Sequence, residues 1–129
     1  MMNKKLEKKL DKAFSEYIRF RDTRGGFGRC VSCGAYKDYG QLDAGHFINR
    51  KWRATRWHED NVHAQCIPCN RFSEGDAAGY ALYMLDRYGR DKVDYLRSLS
   101  RTTAKFTDSE GELMLLDFKK KLKDLTKRV

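Results

Sequence analysis

The chain has 129 residues, of which 40% are hydrophobic and 35% charged, and 27 Lys and Arg against 18 Asp and Glu give a formal net charge of +9. That length suits one domain with a modest core and excludes two ordinary ones. No run of about 18 apolar residues exists for a membrane span, and the basic start MMNKKLEKKL lacks the apolar stretch of a secretory signal, so a cytoplasmic protein is expected. The basic excess makes a polyanion the expected partner, and nucleic acid is the commonest one, although an anionic membrane or simple solubility also fits the charge.

The first element is helical. Leu6, Leu10, Ala13, Tyr17 and Phe20 recur at steps of four and three and make one apolar stripe, while Lys4, Lys5, Lys8, Lys9 and Lys12 crowd the rest of the surface. Gly25 and Gly26 are read as its end. The lysines fit a solvated face or a DNA-backbone contact equally well.

Two C-x-x-C pairs follow, Cys30 with Cys33 and Cys66 with Cys69, in a chain with no other cysteine. Two residues between paired cysteines let both sulfurs of a tight turn reach one metal, so four thiolates predict a tetrahedral zinc ion. In a reducing compartment such pairs are metal ligands more often than disulfides. Positions 34–65 exceed the usual zinc-ribbon spacing, which predicts structure of their own, a β-hairpin turning back between Gly45 and Arg56.

Within that segment Tyr39 to Ile48 has strand composition interrupted by Gly45, where a bulge or a close backbone approach is expected. The next residues place Arg50, Lys51, Arg53 and Arg56 around Trp52 and Trp57, and basic residues interleaved with indoles suit nucleic-acid binding. Trp57, nearest the returning strand, reads better as a cap on a small core, and Trp52 is open to either role. Asn61 to Gln65 is the returning strand. Ile67 to Phe72 begins a helix that Ser73 to Asp76 redirects.

From Ala77 to Tyr88 the positions Ala77, Tyr80, Ala81, Met84, Leu85 and Tyr88 form a helical face ended by Gly89, and a further helix carries Val93, Leu96 and Leu99. Ser100 to Thr107 is a polar linker. A last helix is predicted from a capping box of Ser109 and Glu112, with Leu115, Phe118, Leu122, Leu125 and Val129 in heptad-like spacing. The seams at the two ends of the chain fit intramolecular pairing or a homodimer.

Among side chains with chemistry, His46 ends a strand where a neutral imidazole could take a proton from water. Asn70, directly after the last cysteine, offers an amide oxygen to a hard cation such as Mg2+ or Mn2+, and Asp43 is the nearest carboxylate. Asp43 and His46 would face opposite sides of a regular strand, so one shared site needs a bulge at Ala44 and Gly45.

The ordered set C-x-x-C, DAGH, Asp60-Asn61 and C-x-x-C-N resembles the zinc-bound HNH, or ββα-metal, nucleases. The run DAGHFINRKWRATRWHEDNVHAQCIPCN is similar in particular to the phage NinG (Rap) recombination proteins, regarded as Holliday-junction and branched-DNA endonucleases. The resemblance covers roughly residues 30 to 90. It implies an α+β fold with a zinc-stapled ββα-metal core. As one domain over 1–129, the chain would divide into an N-terminal basic helix (1–25), the core (30–75) and C-terminal helices (76–129).

By position, the resemblance makes His46 the general base, Asn70 a catalytic-metal ligand, Asn61 the residue that orients loop and base, and Cys30, Cys33, Cys66 and Cys69 the structural zinc ligands. Gly45 stands where many HNH nucleases carry a metal-binding side chain. Asp43 is the candidate second ligand, with His63 and His58 behind it. The implied activity is metal-assisted hydrolysis of DNA phosphodiesters that leaves 5′-phosphates, in the host cytosol, on branched DNA and as a dimer. A non-catalytic zinc DNA-binding module is the rival reading. A thiol redox protein is disfavoured because no βαβ pattern surrounds either C-x-x-C.

Overall fold

The computed structural model describes residues 1–73 and 76–127. The N-terminal periodicity forms helix α1, Lys4–Arg21, whose first turn is capped by Asn3 accepting from the Leu6 N–H. It stops at Asp22, before the glycines. Gly25 and Gly26 instead make the tight turn of an Arg24–Phe27 bridge, where positive φ angles of 59° and 84° favour glycine. Strands β1 (Phe27–Arg29) and β2 (Tyr36–Asp38) then form a small antiparallel hairpin around the first cysteine pair, which composition had not marked as strand.

Strand β3 covers Leu42–His46, shorter than the strand expected from Tyr39, because Tyr39–Gln41 is a 3-10 turn. It pairs with β4, Val62–Cys66, in an unbroken antiparallel register from Leu42 opposite Cys66 to His46 opposite Val62. The expected bulge at Ala44 and Gly45 is therefore absent. The close approach is present: a Cβ on Gly45 would stand 2.1 Å from Gln65 Oε1 and 2.8 Å from Gln65 Cβ. Between the strands run the short helix α2, Arg53–Arg56, and a 3-10 turn at Glu59–Asn61. The second cysteine pair leads into a π-helical turn, Pro68–Phe72, closed by Ser73 N–H donating to Pro68 O at 3.2 Å. Positions 74 and 75, inside the segment expected to redirect the chain, lie outside the described residues.

Helices α3 (Ala77–Tyr88) and α4 (Arg90–Ser100) follow, separated by Gly89 as expected. Helix α5, Asp108–Thr126, starts earlier than the Ser109–Glu112 pair suggested, since Thr107 and Glu110 form the capping box. Leu6, Leu10, Phe14, Tyr17 and Ile18 of α1 share a core with Phe118, and Leu115, Leu122 and Leu125 pack against it. The two terminal seams thus meet within one chain; Val129 lies outside the described residues. Alternation along the β3–β4 hairpin sends Ala44 and Val62 toward the α1 core. It sends His63 toward α3, where the ring contacts Tyr80 and Tyr88. Tyr80, Met84, Val93 and Leu96 fill a further core with Val31. Among the described residues no helix is long and apolar enough to cross a membrane.

Candidate functional site

The two cysteine pairs converge. The Sγ atoms of Cys30, Cys33, Cys66 and Cys69 all lie within 4.8 Å of one another, and Cys33 and Cys66 are separated by 3.8 Å. A tetrahedral zinc with Zn–S bonds of about 2.3 Å sets its sulfurs roughly 3.8 Å apart, whereas a disulfide needs about 2.05 Å. All four are free thiols, three of them buried. Burial pushes the Cys66 and Cys69 thiols up; it opposes ionisation of Cys30 as well, but backbone hydrogen bonds from Cys33, Cys66 and Ser32 bring that thiol down to about 7. A divalent metal supplies the positive charge that lets such a cluster ionise together. These four cysteines could hold zinc.

Two other clusters lie on β3. In the first, His46 Nε2 sits 2.9 Å from the Arg56 carbonyl oxygen. A carbonyl only accepts, so Nε2 carries the hydrogen, and in the neutral ring Nδ1 is the atom with a lone pair for a proton. Burial, followed by the Arg50 and Arg56 charges, keeps the imidazole below its ordinary value and hence neutral at pH 7, although the Arg56 carbonyl pulls the other way. The residue before Arg56 is held by Asn61, fully buried, whose Oδ1 accepts from Ile48 N–H at 2.8 Å and whose Nδ2 donates to Ile48 O at 3.1 Å and Thr55 O at 3.0 Å. One amide therefore pins both ends of the loop that carries the partner of His46.

In the second cluster, Asn70 Nδ2 donates to Asp43 Oδ2 at 2.9 Å, and Arg71 grips the same carboxylate through Nε and Nη2, each at 2.9 Å. Burial raises the Asp43 carboxyl, but hydrogen bonds from Arg71 and Asn70 outweigh it and hold the group below its usual range. A carboxylate and an amide side by side are a donor set for a hard cation, and Arg71 supplies the positive charge found there. The structure joins Asp43 to Asn70 but leaves His46 on the other face of the regular strand.

His63 and His58 are engaged elsewhere. Tyr80 Oη donates to Gly45 O at 2.7 Å, so His63 Nδ1 donates to Tyr80 Oη (3.0 Å) while Nε2 accepts from Tyr88 Oη (2.7 Å). Both nitrogens are satisfied, and burial brings this histidine down to about 4. His58 Nδ1 accepts from Asp60 N–H and caps the 3-10 turn.

The basic loop is largely tied to α1. Arg53 and Arg56 pair with Glu7 at 2.8 and 3.2 Å, and Arg50 and Arg56 pair with Asp11 at 2.9 and 2.6 Å. Trp57 is buried and donates through Nε1 to Asp11 at 2.9 Å, the core role favoured from sequence. Trp52 is 48% exposed with Lys51 over its ring. Reading by residue type missed Glu7 and Asp11, yet an acid pair four residues apart in a lysine-rich helix was a visible sign of a basic neighbour. Arg71 was missed too, and only its position beside Asn70 could have suggested it.

A small α+β protein whose four cysteines are gathered at zinc-compatible spacing is the class that fold and site define. Residues 2–128 match the family described as Bacteriophage Lambda NinG protein, and the chain belongs to that family. Protein ninG of Escherichia phage lambda is 32% identical over 119 residues, which cover 92% of this chain and 56% of that protein. The Protein ninG of Salmonella phage P22 gives the same figures, and that of Escherichia phage 933W is 32% identical with 57% of its length covered. The chain thus spans a little over half the length of the curated relatives it matches. The match extends well beyond the 30–90 segment that carried the resemblance. No solved structure matches.

Proposed function

We propose that this chain is a metal-dependent DNA endonuclease with a zinc-stapled HNH core that cuts branched DNA. The observation that carries the reading is the His46 arrangement: a neutral imidazole on a strand end, with Nε2–H spent on a backbone carbonyl and Nδ1 left as the basic atom, the loop behind it locked by Asn61. A zinc module that only binds DNA has no chemical need for such a histidine.

In this reading His46 Nδ1 takes the proton of a water aimed at the scissile phosphorus, and Asn61 helps keep the ring from rotating away by holding the carbonyl of Thr55, the residue before the Arg56 carbonyl that the ring meets. A divalent cation serving that phosphate would bind on the His46 side of the strand, because Asp43 and Asn70, tied to Arg71, lie on the other face. When bound, that ion supplies charge stabilisation to the phosphate and the departing 3′-oxygen. Two copies of a one-site nuclease would make the two cuts that resolving a four-way junction requires.

The test is incubation of the zinc-loaded protein with four-way-junction, duplex and single-stranded DNA, with and without Mg2+ or Mn2+. Metal-dependent cleavage, strongest on the junction, is expected. Binding without cleavage under every condition would favour the non-catalytic module.

A further inference from the structure

The register of the first hairpin opposes Phe27 to Asp38 and Arg29 to Tyr36, so these four side chains share one face, while Gly28 between them is buried. Phe27 is 47% and Tyr36 61% exposed. Their rings lie nearly parallel, centroids 5.7 Å apart and planes 17° from each other, and the Arg29 guanidinium stands 5.5 Å from the Tyr36 centroid. The hairpin borders a groove of about 900 Å3 whose lining includes Arg24 and Arg29. Two large rings presented to water on three-residue strands are not needed to hold this hairpin. It is already pinned by Cys30 N–H to Ala35 O at 2.8 Å, Gly34 N–H to Cys30 O at 2.9 Å and Val31 N–H to Ala64 O at 2.9 Å. With Cys30 and Cys33 in its turn, bound zinc would make it stiffer still.

We infer that this face is a stacking platform for unpaired bases of a DNA strand, built from residues other than the His46 loop. Nucleobases have π-faces that continue a parallel ring stack whatever their sequence, and arginines beside the rings meet the phosphates that link them. Asp22 and Asp86 also line the groove, but Asp22 is occupied by Arg21 at 2.8 Å and by the Ala64 N–H at 2.8 Å, and Asp38 is the acid on the ring face itself. The inference rests on the nuclease reading for DNA as partner and deepens it, since a branch point offers unstacked bases that a continuous duplex does not.

The probe is a labelled oligo-dT single strand, titrated by anisotropy into the full chain purified with zinc, without added Mg2+ or Mn2+. Phe27→Ala with Tyr36→Ala should weaken binding about tenfold or more, with the salt slope unchanged. Tyr36→Phe should bind normally, and Arg29→Ala should reduce the slope by about 0.7. Tyr36→Trp, a variant that keeps a ring in place, should show emission quenched by the strand beyond the quenching of Trp52 and Trp57 in the parent chain. Unchanged affinity in a folded double variant, loss with Tyr36→Phe, no added quenching, or equal displacement by polyglutamate would each overturn the platform. Because nothing is cleaved in these titrations, their failure leaves the His46 reading standing, and an inactive enzyme that still shows the ring effects leaves the platform standing.

Discussion

Asn61 shows how much one side chain can fix. It is fully buried, and its amide meets three backbone groups of the loop between β3 and β4. Asn61→Ala would strand the Ile48 N–H and two carbonyls, so a loss of about 2–4 kcal/mol is expected from urea melts. A loss under about 0.5 kcal/mol would mean that water replaces the amide. His63 carries a pH signature. Burial, then the Arg21 charge, depress it to about 4 from an ordinary 6.5. A depressed folded value means stabilisation that is complete above pH 6.5 and is lost as pH falls toward 4, about 3 kcal/mol in all. His63→Gln should therefore flatten stability between pH 7 and 4.5 relative to the parent chain; parallel curves would refute the linkage. Cysteine spacing was readable at this scale because ligand chemistry is local. The partner of His46 was not, since a backbone carbonyl ten residues away leaves no mark in residue type.

At the scale of elements, periodicity located α1, α3, α4 and α5, and it failed where few residues decide. The α5 start moved from Ser109 to Thr107 because both pairs satisfy the same pattern, and it is Thr107 and Glu110 that make the reciprocal cap bonds. Strands β1 and β2 are three residues each, too short for alternation to register. Gly45 was correctly singled out, but its cause is the Gln65 side chain lying against it rather than a bulge. The staple makes a prediction here. Among the described residues, the small cluster around the cysteines contains only Leu42 and Ala64 besides Cys30, Cys66 and Cys69, too little apolar surface to hold both knuckles together. Metal analysis should find about one zinc per chain, and chelation or Cys66→Ser should lower the melting temperature by roughly 10 °C or more. A zinc-free chain with unaltered melting would remove the staple.

Over the whole molecule the +9 charge is less available than its sum suggests. Helix α1 turns its apolar side to α5, Glu7 and Asp11 to the Arg50–Arg56 loop, and its lysines to solvent. This division follows from three-dimensional pairing, and sequence reading could see only the lysines. It also places the loop that bears the Arg56 carbonyl in a rigid frame, so that His46 is held from α1 through α2. The central claim, that this histidine is the base, is tested most directly by comparing His46→Ala with the parent chain on four-way-junction DNA in Mg2+ or Mn2+, with binding to the same junction and melting measured alongside. The variant should lose cleavage by about 100-fold or more while junction affinity stays within about twofold and melting is little changed. Cleavage at the parental rate by His46→Ala would rule out this histidine as the base.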